Sequence, residues 1–135
     1  HINILFPDRD VSSWERNDGS IIMRLAYGEN SIMLTGDATL KTERHLLDFY
    51  KKEELQSDIL KVGHHGSRTS TGENFLKAVL PEYAVISMGK DNKYGHPHKE
   101  ILDILAKFKL KILRTDLLET IVFSCDRIKP CEIQK

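Results

Sequence analysis

Two adjacent histidines, His64 and His65, follow a short apolar run and lie between glycines in the stretch Gly63-His64-His65-Gly66-Ser67. The run Ile59 to Val62 predicts a buried strand, and the glycines predict a tight loop at its end. Neighbouring side chains on a strand point to opposite faces, whereas two imidazoles on a glycine-flanked loop can converge on a metal ion or a phosphate. The stretch is therefore a candidate site. In the alternative interpretation, one histidine bonds a carbonyl and the other is solvated.

Two further strand ends carry residues of the same chemical kind. Asp37 follows the apolar run that ends at Leu34, and His96 and His98 stand on either side of Pro97. Loops at one edge of an open α/β sheet share a crevice, so these residues are expected to meet there. A carboxylate with imidazoles suits zinc, manganese or iron in hydrolytic sites. Asp37 could instead cap a helix, and the two histidines could be ligands, proton donors, phosphate contacts or part of a rigid loop that caps the next helix.

Other polar residues carry weaker signals. Ser67, Thr69 and Ser70 could donate hydrogen bonds to a phosphate or cap a helix. His45 and the charge run at 51–54 receive no functional role, because such runs are usually solvated helix faces. Cys125 and Cys131 have no accompanying motif and are interpreted as inert.

Composition limits the function classes. The chain has 135 residues, of which 40% are hydrophobic and 30% charged, so it is long enough for one domain with a core. Twenty basic and twenty acidic residues cancel, so any phosphate-binding surface must be local. No apolar run reaches the length of a membrane helix, and no signal peptide is visible. The chain starts at His1 and enters an apolar strand at once, which suggests an excised domain or a processed fragment.

Periodicity predicts the elements that position these residues. Strands are expected at 2–6, 20–27, 31–34, 59–62, 83–88, 110–114 and 120–124, with a hairpin turn at 28–30. Helices are expected from 39 or 42 to 52, at 73–80 and at 99–108. The alternation of strands and helices predicts a layered α/β domain with a mixed sheet.

Several short motifs follow one another in an order that resembles a known family. Their order and spacing over nearly the whole chain are similar to those of a metallo-β-lactamase-fold hydrolase, and more closely to the C-terminal part of the ComEC/Rec2-type competence domain. The motifs are Asn17 to Ser20, Leu34-Thr35-Gly36-Asp37, Leu60 to Ser67, Ile86 to Gly89, Asn92, Tyr94-Gly95-His96-Pro97 and Arg114-Thr115-Asp116.

The resemblance implies a four-layer αββα sandwich with a metal site, usually dinuclear, at the sheet edge. Such enzymes hydrolyse phosphodiesters or other esters with a metal-activated hydroxide, and Zn²⁺ or Mn²⁺ is the expected cofactor. Asp37 is then the carboxylate that bridges two metals, and His65, more than His64, is a ligand of the second. His96 and His98 are the catalytic loop residues, and Ser67 and Asn92 are expected to contact substrate.

One departure from the family pattern limits this interpretation. The main ligand loop of the superfamily, His-x-His-x-Asp-His, belongs to the first half of the fold and has no counterpart here: after His96-Pro97-His98 come Lys99 and Glu100. Residues 1–135 are therefore expected to form a single domain that is the C-terminal half of the sandwich, a mixed sheet with flanking helices and an incomplete metal site. Its uncovered sheet face should pack against the missing N-terminal half or cause self-association.

The expected function is that of a metal-dependent phosphodiesterase or nuclease related to competence-type DNA uptake. The alternative is a non-catalytic domain that keeps the fold to bind DNA or protein, for which a local basic patch near Lys61, Arg68, Lys90 and Lys93 would be needed. DNA or another phosphodiester is the expected partner. The domain itself is expected to be soluble, and tethered to the bacterial cytoplasmic membrane if it is of ComEC type.

Overall fold

The computed structural model describes residues 1–134 of the 135-residue chain. These residues form eight strands, five α-helices and a 3₁₀ turn at Gly63–Gly66, and the seven predicted strands and three predicted helices occur in the expected order. The strands are β1 (Ile2–Phe6), β2 (Ile22–Tyr27), β3 (Asn30–Leu34), β4 (Ile59–Lys61), β5 (Tyr83–Ile86), β6 (Lys111–Arg114), β7 (Val122–Ser124) and β8 (Glu132–Gln134). The helices are α1 (Leu40–Phe49), α2 (Lys52–Leu55), α3 (Glu73–Val79), α4 (Lys99–Lys107) and α5 (Thr115–Leu118).

The first six strands form one mixed sheet in the order β1-β2-β3-β4-β5-β6. The pairs β1/β2 and β2/β3 are antiparallel, and the pairs from β3 to β6 are parallel. Helices α1, α3 and α4 connect the parallel strands, as parallel neighbours require. The carboxyl ends of β3, β4 and β5 therefore meet at one edge of the sheet, where the candidate residues follow each strand.

Local signals explain where the helices begin and end. Thr39 caps α1 by accepting a hydrogen bond from the Lys41 amide, as hydroxyl residues commonly do at this position. Helix α3 ends at Val79, and the next residue, Leu80, adopts a left-handed conformation directly before Pro81. Helix α4 starts after His98, at the end of the histidine-rich loop.

The core lies between the sheet and the helices. The pleat places Met33, Leu60 and Ala84 on one face in register, and all three are fully buried. Buried residues of the connecting helices join the same cluster, namely Leu46, Phe75, Leu76, Val79, Ile101 and Leu105. Burial at about 1.5–3 kcal/mol per large apolar side chain is the main stabilising contribution of this layer pair.

The opposite face of the sheet is only partly covered. Ile2 pairs with Leu25 and Ile4 with Met23, and the two isoleucines are 60% and 56% exposed. Further along this face, the ring of Phe123 from β7 lies 5.3 Å from that of Tyr83. One helix layer on one sheet is the expected α/β half of a sandwich, and the open face matches the expectation of an uncovered surface.

The C-terminal segment differs most from the predictions. The interpretation of Cys125 and Cys131 as inert was wrong, because they form a disulfide. Strand β8 and helices α2 and α5 were not predicted, and the loop at 63–66 contains a 3₁₀ turn. The disulfide loop is held by Asn30, whose amide nitrogen donates to the carbonyls of Asp126 and Lys129 and whose oxygen accepts from the Cys131 amide.

None of the helices within residues 1–134 is both long and apolar enough to span a bilayer.

Candidate active site

The paired histidines occupy a turn with unusual backbone conformation. His64 and His65 have φ values of 45° and 56°, in the left-handed region that most residues avoid. Hydroxyl groups downstream stabilise this turn: Ser70 Oγ donates to the Gly63 carbonyl, and Thr71 Oγ1 accepts from the Gly63 amide. The turn is thus tightly held, which fixes the direction of each imidazole.

His65 points to the carboxylate at the end of β3. Its Nδ1 donates to the Ser87 carbonyl at 2.5 Å, and its Nε2 lies 3.2 Å from Asp37 Oδ1. Because Nδ1 carries the proton in this bond, the Nε2 of a neutral ring presents a lone pair to a carboxylate oxygen. Two facing acceptors at this distance need a proton or a cation between them.

Asp37 is supported from its backbone and by a half-buried lysine. Gly36, with φ of +54°, lets the chain turn close to Ser20, whose hydroxyl accepts from the Asp37 amide at 3.3 Å. Lys61 Nζ donates to the Gly36 carbonyl at 2.5 Å and lies 3.8 Å from Asp37 Oδ1. Burial lowers the pKa of Lys61, while the negative charge of Asp37 opposes this change. Asp37 does not cap α1, so the helix-cap alternative was wrong.

His64 points away from Asp37. Its Nε2 accepts from the side-chain amide of Asn17 at 3.3 Å, and its Nδ1 lies 3.3 Å from the Thr69 hydroxyl. A shallow groove runs along this side and is lined by Glu15, Arg16, Asn17, Asp18, Thr39, His64 and Thr69. The two neighbouring imidazoles therefore serve different sides of the sheet edge, and only His65 lies beside Asp37.

The second histidine loop packs directly on the first. The His98 amide donates to the Gly66 carbonyl at 2.9 Å, and a Cβ atom on Gly66 would lie 2.6 Å from Pro97 Cβ. Gly66 also has φ of +82°, so glycine is required here on both counts. Asn92 closes the loop through bonds from its Nδ2 to the His96 carbonyl and from the His96 amide to its Oδ1.

His96 lies among the other imidazoles. Its ring centroid is 5.6 Å from that of His64 and 4.9 Å from that of His98. Burial lowers the pKa of His96, and the nearby charges of His98, His64 and His65 lower it further. A neutral imidazole can bind a metal or accept a proton. His98 Nδ1 accepts from the Arg68 amide, so its Nε2 is the atom left for other partners.

The residues predicted to contact substrate have partners within the protein. The Ser67 hydroxyl is buried and lies 3.0 Å from that of Thr69, and the Asn92 amide is bound to the His96 backbone. Both stabilise the two loops. Their substrate contacts stay a prediction, as do the metal and catalytic roles of Asp37, His64, His65, His96 and His98.

The donor set fits part of a metal site. Asp37 Oδ1 and His65 Nε2 face each other without a hydrogen of their own between them, and their side chains are 40% and 42% exposed. Metal bonds of about 2.1 Å from each atom would reach one ion between them. Within residues 1–134, however, no cluster of three or more His, Cys, Asp or Glu side chains could hold a metal. The described residues therefore offer two candidate donor atoms at this point, fewer than a catalytic zinc site requires.

Several supporting residues were not identified from the sequence. The Ser87 carbonyl orients His65, and Thr115 binds the amide and the carbonyl of the adjacent Met88 through its hydroxyl. The buried Glu43 accepts from the amides of Thr71 and Gly72, which end the first histidine loop. A carbonyl group has no sequence signal, but a glutamate on the buried face of a predicted helix could have been noticed.

This sheet, its single helix layer and an Asp–His pair at the carboxyl edge define one α/β layer pair of a metallo-β-lactamase sandwich. The family described as "Metallo-beta-lactamase superfamily" matches residues 6–90. The chain belongs to this superfamily.

Three relatives match most of this chain. The chain is 39% identical over 108 residues to "ComE operon protein 3" of Bacillus subtilis, with 80% of this chain and 14% of the relative covered. It is 40% identical to "Competence protein ComA" of Neisseria gonorrhoeae, covering 82% and 16%, and 36% identical to "Recombination protein 2" of Haemophilus influenzae, covering 85% and 14%. The chain thus spans about a seventh of the length of these relatives.

Proposed function

We propose that this chain contributes part of the metal site of a phosphodiester hydrolase that acts on DNA during its uptake. The observation that carries the proposal is the meeting of Asp37 Oδ1 and His65 Nε2, 3.2 Å apart, where parallel strands end. The words competence and recombination in the names of the relatives support DNA as the substrate.

Each residue has a stated role in this proposal. Asp37 and His65 would hold a metal, Zn²⁺ or Mn²⁺, which when bound would supply a hydroxide near neutral pH and Lewis-acid polarisation of the phosphoryl group. The Ser87 carbonyl fixes the tautomer and orientation of His65, a common arrangement around metal-binding histidines. Lys61 fixes the Gly36 carbonyl and compensates the charge of Asp37. His96 and His98 are placed to transfer protons to the leaving oxygen.

The remaining ligands are proposed to come from a part of the protein outside residues 1–134. Two observations support this: the described residues contain no three-donor cluster, and the relatives are about seven times longer than the matched region. The open sheet face around Ile2 and Ile4 is the proposed contact for that part. A tether to the bacterial cytoplasmic membrane would also belong to it. In isolation, the 135-residue chain is expected to self-associate through this face, which sedimentation velocity over a dilution series would measure.

The test uses the intact protein and the isolated chain. We expect the intact protein to contain metal and to hydrolyse DNA, whereas the 135-residue chain should bind metal weakly and hydrolyse little. In the intact protein, Asp37→Ala and His65→Ala should each lower metal affinity or hydrolysis by about 100-fold or more. Elemental analysis and a fluorescent oligonucleotide assay provide the measurements.

His45→Gln is the matched control, because His45 also lies beside a carboxylate but sits on α1. This variant should retain metal and hydrolysis. Stoichiometric metal and full activity in the isolated chain would contradict the ligand assignment, and so would intact Asp37→Ala or His65→Ala with wild-type activity.

A second candidate function is a non-catalytic domain that binds DNA or protein. The absence of a three-donor cluster within residues 1–134 favours it. In that case the intact protein should bind DNA without metal and show no hydrolysis with any of the divalent ions tested.

A further inference from the structure

Tyr94 is the most exposed aromatic residue near the site. Its side chain is 80% exposed, yet its ring is stacked on that of His96, with centroids 5.9 Å apart and planes at 27°. A large ring left open to water gains nothing for folding. Other tyrosines are used internally: Tyr50 donates to the Leu5 carbonyl, and Tyr83 packs against Phe123.

The loop presents Tyr94 in a defined orientation. The Asn92 side chain bonds both the amide and the carbonyl of His96, so the ends of the segment 92–96 are joined. Gly95, with φ of +69° and no atoms near its Cβ position, allows the turn that exposes the tyrosine. Stacking on His96 further limits the ring. The aromatic face is therefore pre-organised, which lowers the entropy cost of a contact.

The Tyr94 ring lies next to the rings of the candidate active site. Tyr94 stacks on His96, and His96 lies 5.6 Å from His64 between ring centroids. His65, next to His64 in the turn, lies beside Asp37. A ligand stacked on Tyr94 would thus lie beside the rings of His96 and His64, one residue in sequence from the Asp37–His65 pair.

The charges around the loop suit a phosphate backbone. Lys90, Lys93 and Arg68 form no ion pair within the part of the chain that the structure describes, and Asp91 offsets only one of them. Arg68 is next to the second loop, since its amide donates to His98 Nδ1. Cations beside an open aromatic face are the combination with which proteins bind single-stranded nucleic acid.

We propose that Tyr94 stacks on an unpaired base of single-stranded DNA and so positions the strand at the Asp37–His65 pair. This inference rests on the proposed function for DNA as the substrate and adds that the preferred form is the single strand. In a duplex, the faces of each base are covered by its neighbours in the stack, so an exposed ring has no base to contact.

The experiment measures binding in EDTA, by fluorescence anisotropy, with the intact protein. The probes are a thymidine oligonucleotide of about 16 residues, its duplex, and a strand of equal length in which every nucleotide is abasic. Tyr94→Ala should weaken binding of the thymidine strand by about 5- to 100-fold, the range for loss of one stacked base. Tyr94→Phe should retain the wild-type affinity, because the ring is kept. Tyr27→Ala removes an exposed tyrosine from the hairpin of β2 and β3 and should change nothing.

Binding of the abasic strand should be equal in wild type and Tyr94→Ala, because no base is available to stack. The proposal is overturned if Tyr94→Ala binds the thymidine strand as tightly as wild type, if it loses the abasic strand equally, or if wild type prefers the duplex. Since binding is measured without metal, the two proposals fail separately. If wild type hydrolyses DNA but Tyr94→Ala binds it as tightly as wild type, only this inference is overturned. If binding depends on Tyr94 but the protein hydrolyses no DNA, only the proposed enzyme activity is overturned.

Discussion

Within residues 1–134, two Asp–His pairs have nearly the same separation and very different surroundings. Asp8 and His45 lie 3.0 Å apart with side chains only 15% exposed, and His45 packs against the rings of Phe6, Trp14 and Phe49. Arg9 also binds Asp8, and this hydrogen bond is the main reason that the pKa of Asp8 is lowered. That pair is neutralised and packed, so it serves to attach the loop after β1 to α1.

Asp37 and His65 lie 3.2 Å apart with about 40% of each side chain exposed. No guanidinium group binds Asp37, and the nearest cation, Lys61, is 3.8 Å away and also held by a carbonyl. The difference teaches that the distance within an Asp–His pair does not reveal its role. The role depends on whether other groups in the fold satisfy both side chains or leave them to an outside ligand.

The largest effect is expected from disturbing the turn that carries His65. Gly66→Ala places a Cβ 2.6 Å from Pro97 Cβ at a φ of +82°. A left-handed alanine costs about 1–2 kcal/mol and overpacking about 1–3 kcal/mol, so the free energy of unfolding should fall by about 4 kcal/mol. Urea unfolding measures this loss, and DNA hydrolysis by the intact protein should fall with it.

Gly95→Ala is the matched control, because Gly95 has φ of +69° but no atom within 4 Å of a built Cβ. Gly95→Ala should lower the free energy of unfolding only by the cost of a left-handed alanine, about 1–2 kcal/mol. Equal losses in the two variants would show that the contact between the histidine loops contributes nothing.

The second-largest effect is a pH dependence of stability caused by Glu43, which binds the amides that follow the same turn. Burial raises the pKa of Glu43 from 4.5 to about 7, although the Gly72 and Thr71 amides oppose this change. Because the folded-state pKa is the higher one, the stabilising contribution is complete below pH 4.5 and is lost as the pH rises through 7. The free energy of unfolding should fall by about 3 kcal/mol over this range relative to Glu43→Gln, which stays neutral.

Urea unfolding of both proteins at several pH values measures this difference. The contribution of the histidines cancels in the comparison, because both proteins contain the same histidines. Parallel curves for wild type and Glu43→Gln would contradict the buried, protonated state of Glu43.

A smaller effect is expected at the structural pair. Asp8→Asn removes the charge that Arg9 and His45 share and should lower the free energy of unfolding by about 1 kcal/mol. Hydrolysis by the intact protein should stay at the wild-type level, in contrast to Asp37→Ala. A loss of hydrolysis without a loss of stability in Asp8→Asn would reverse the roles assigned to the two pairs.

The smallest effect is expected in the second histidine loop. Asn92→Ala removes the two hydrogen bonds that join the ends of segment 92–96. The free energy of local opening of this loop should fall by about 1 kcal/mol, with little change in Tm. Hydrogen exchange of the His96 amide should become faster. The Lys61 amide, within β4, should exchange as in wild type and serves as the internal control.

Most of the fold could be predicted from local sequence. Apart from the short helix α2, the order of strands and helices through residue 114 is confirmed, because hydrophobic periodicity, Thr39 and Pro81 act over a few residues. The short strand β8 and the disulfide were missed. Cys125 and Cys131 are brought together by Asn30, more than 90 residues away in sequence, and no local pattern records such a contact.

The sequence by itself determined which chemical groups reach the sheet edge: Asp37 after β3, His64 and His65 after β4, and His96 and His98 after β5. The local pattern did not determine which imidazole meets the carboxylate, since His64 and His65 are adjacent and chemically identical, although the family resemblance favoured His65. Only the tertiary structure decided this, because the left-handed turn directs Nδ1 of His65 to the Ser87 carbonyl and His64 to Asn17. Side-chain direction depends on partners from distant strands, and those partners are set by packing and not by local sequence.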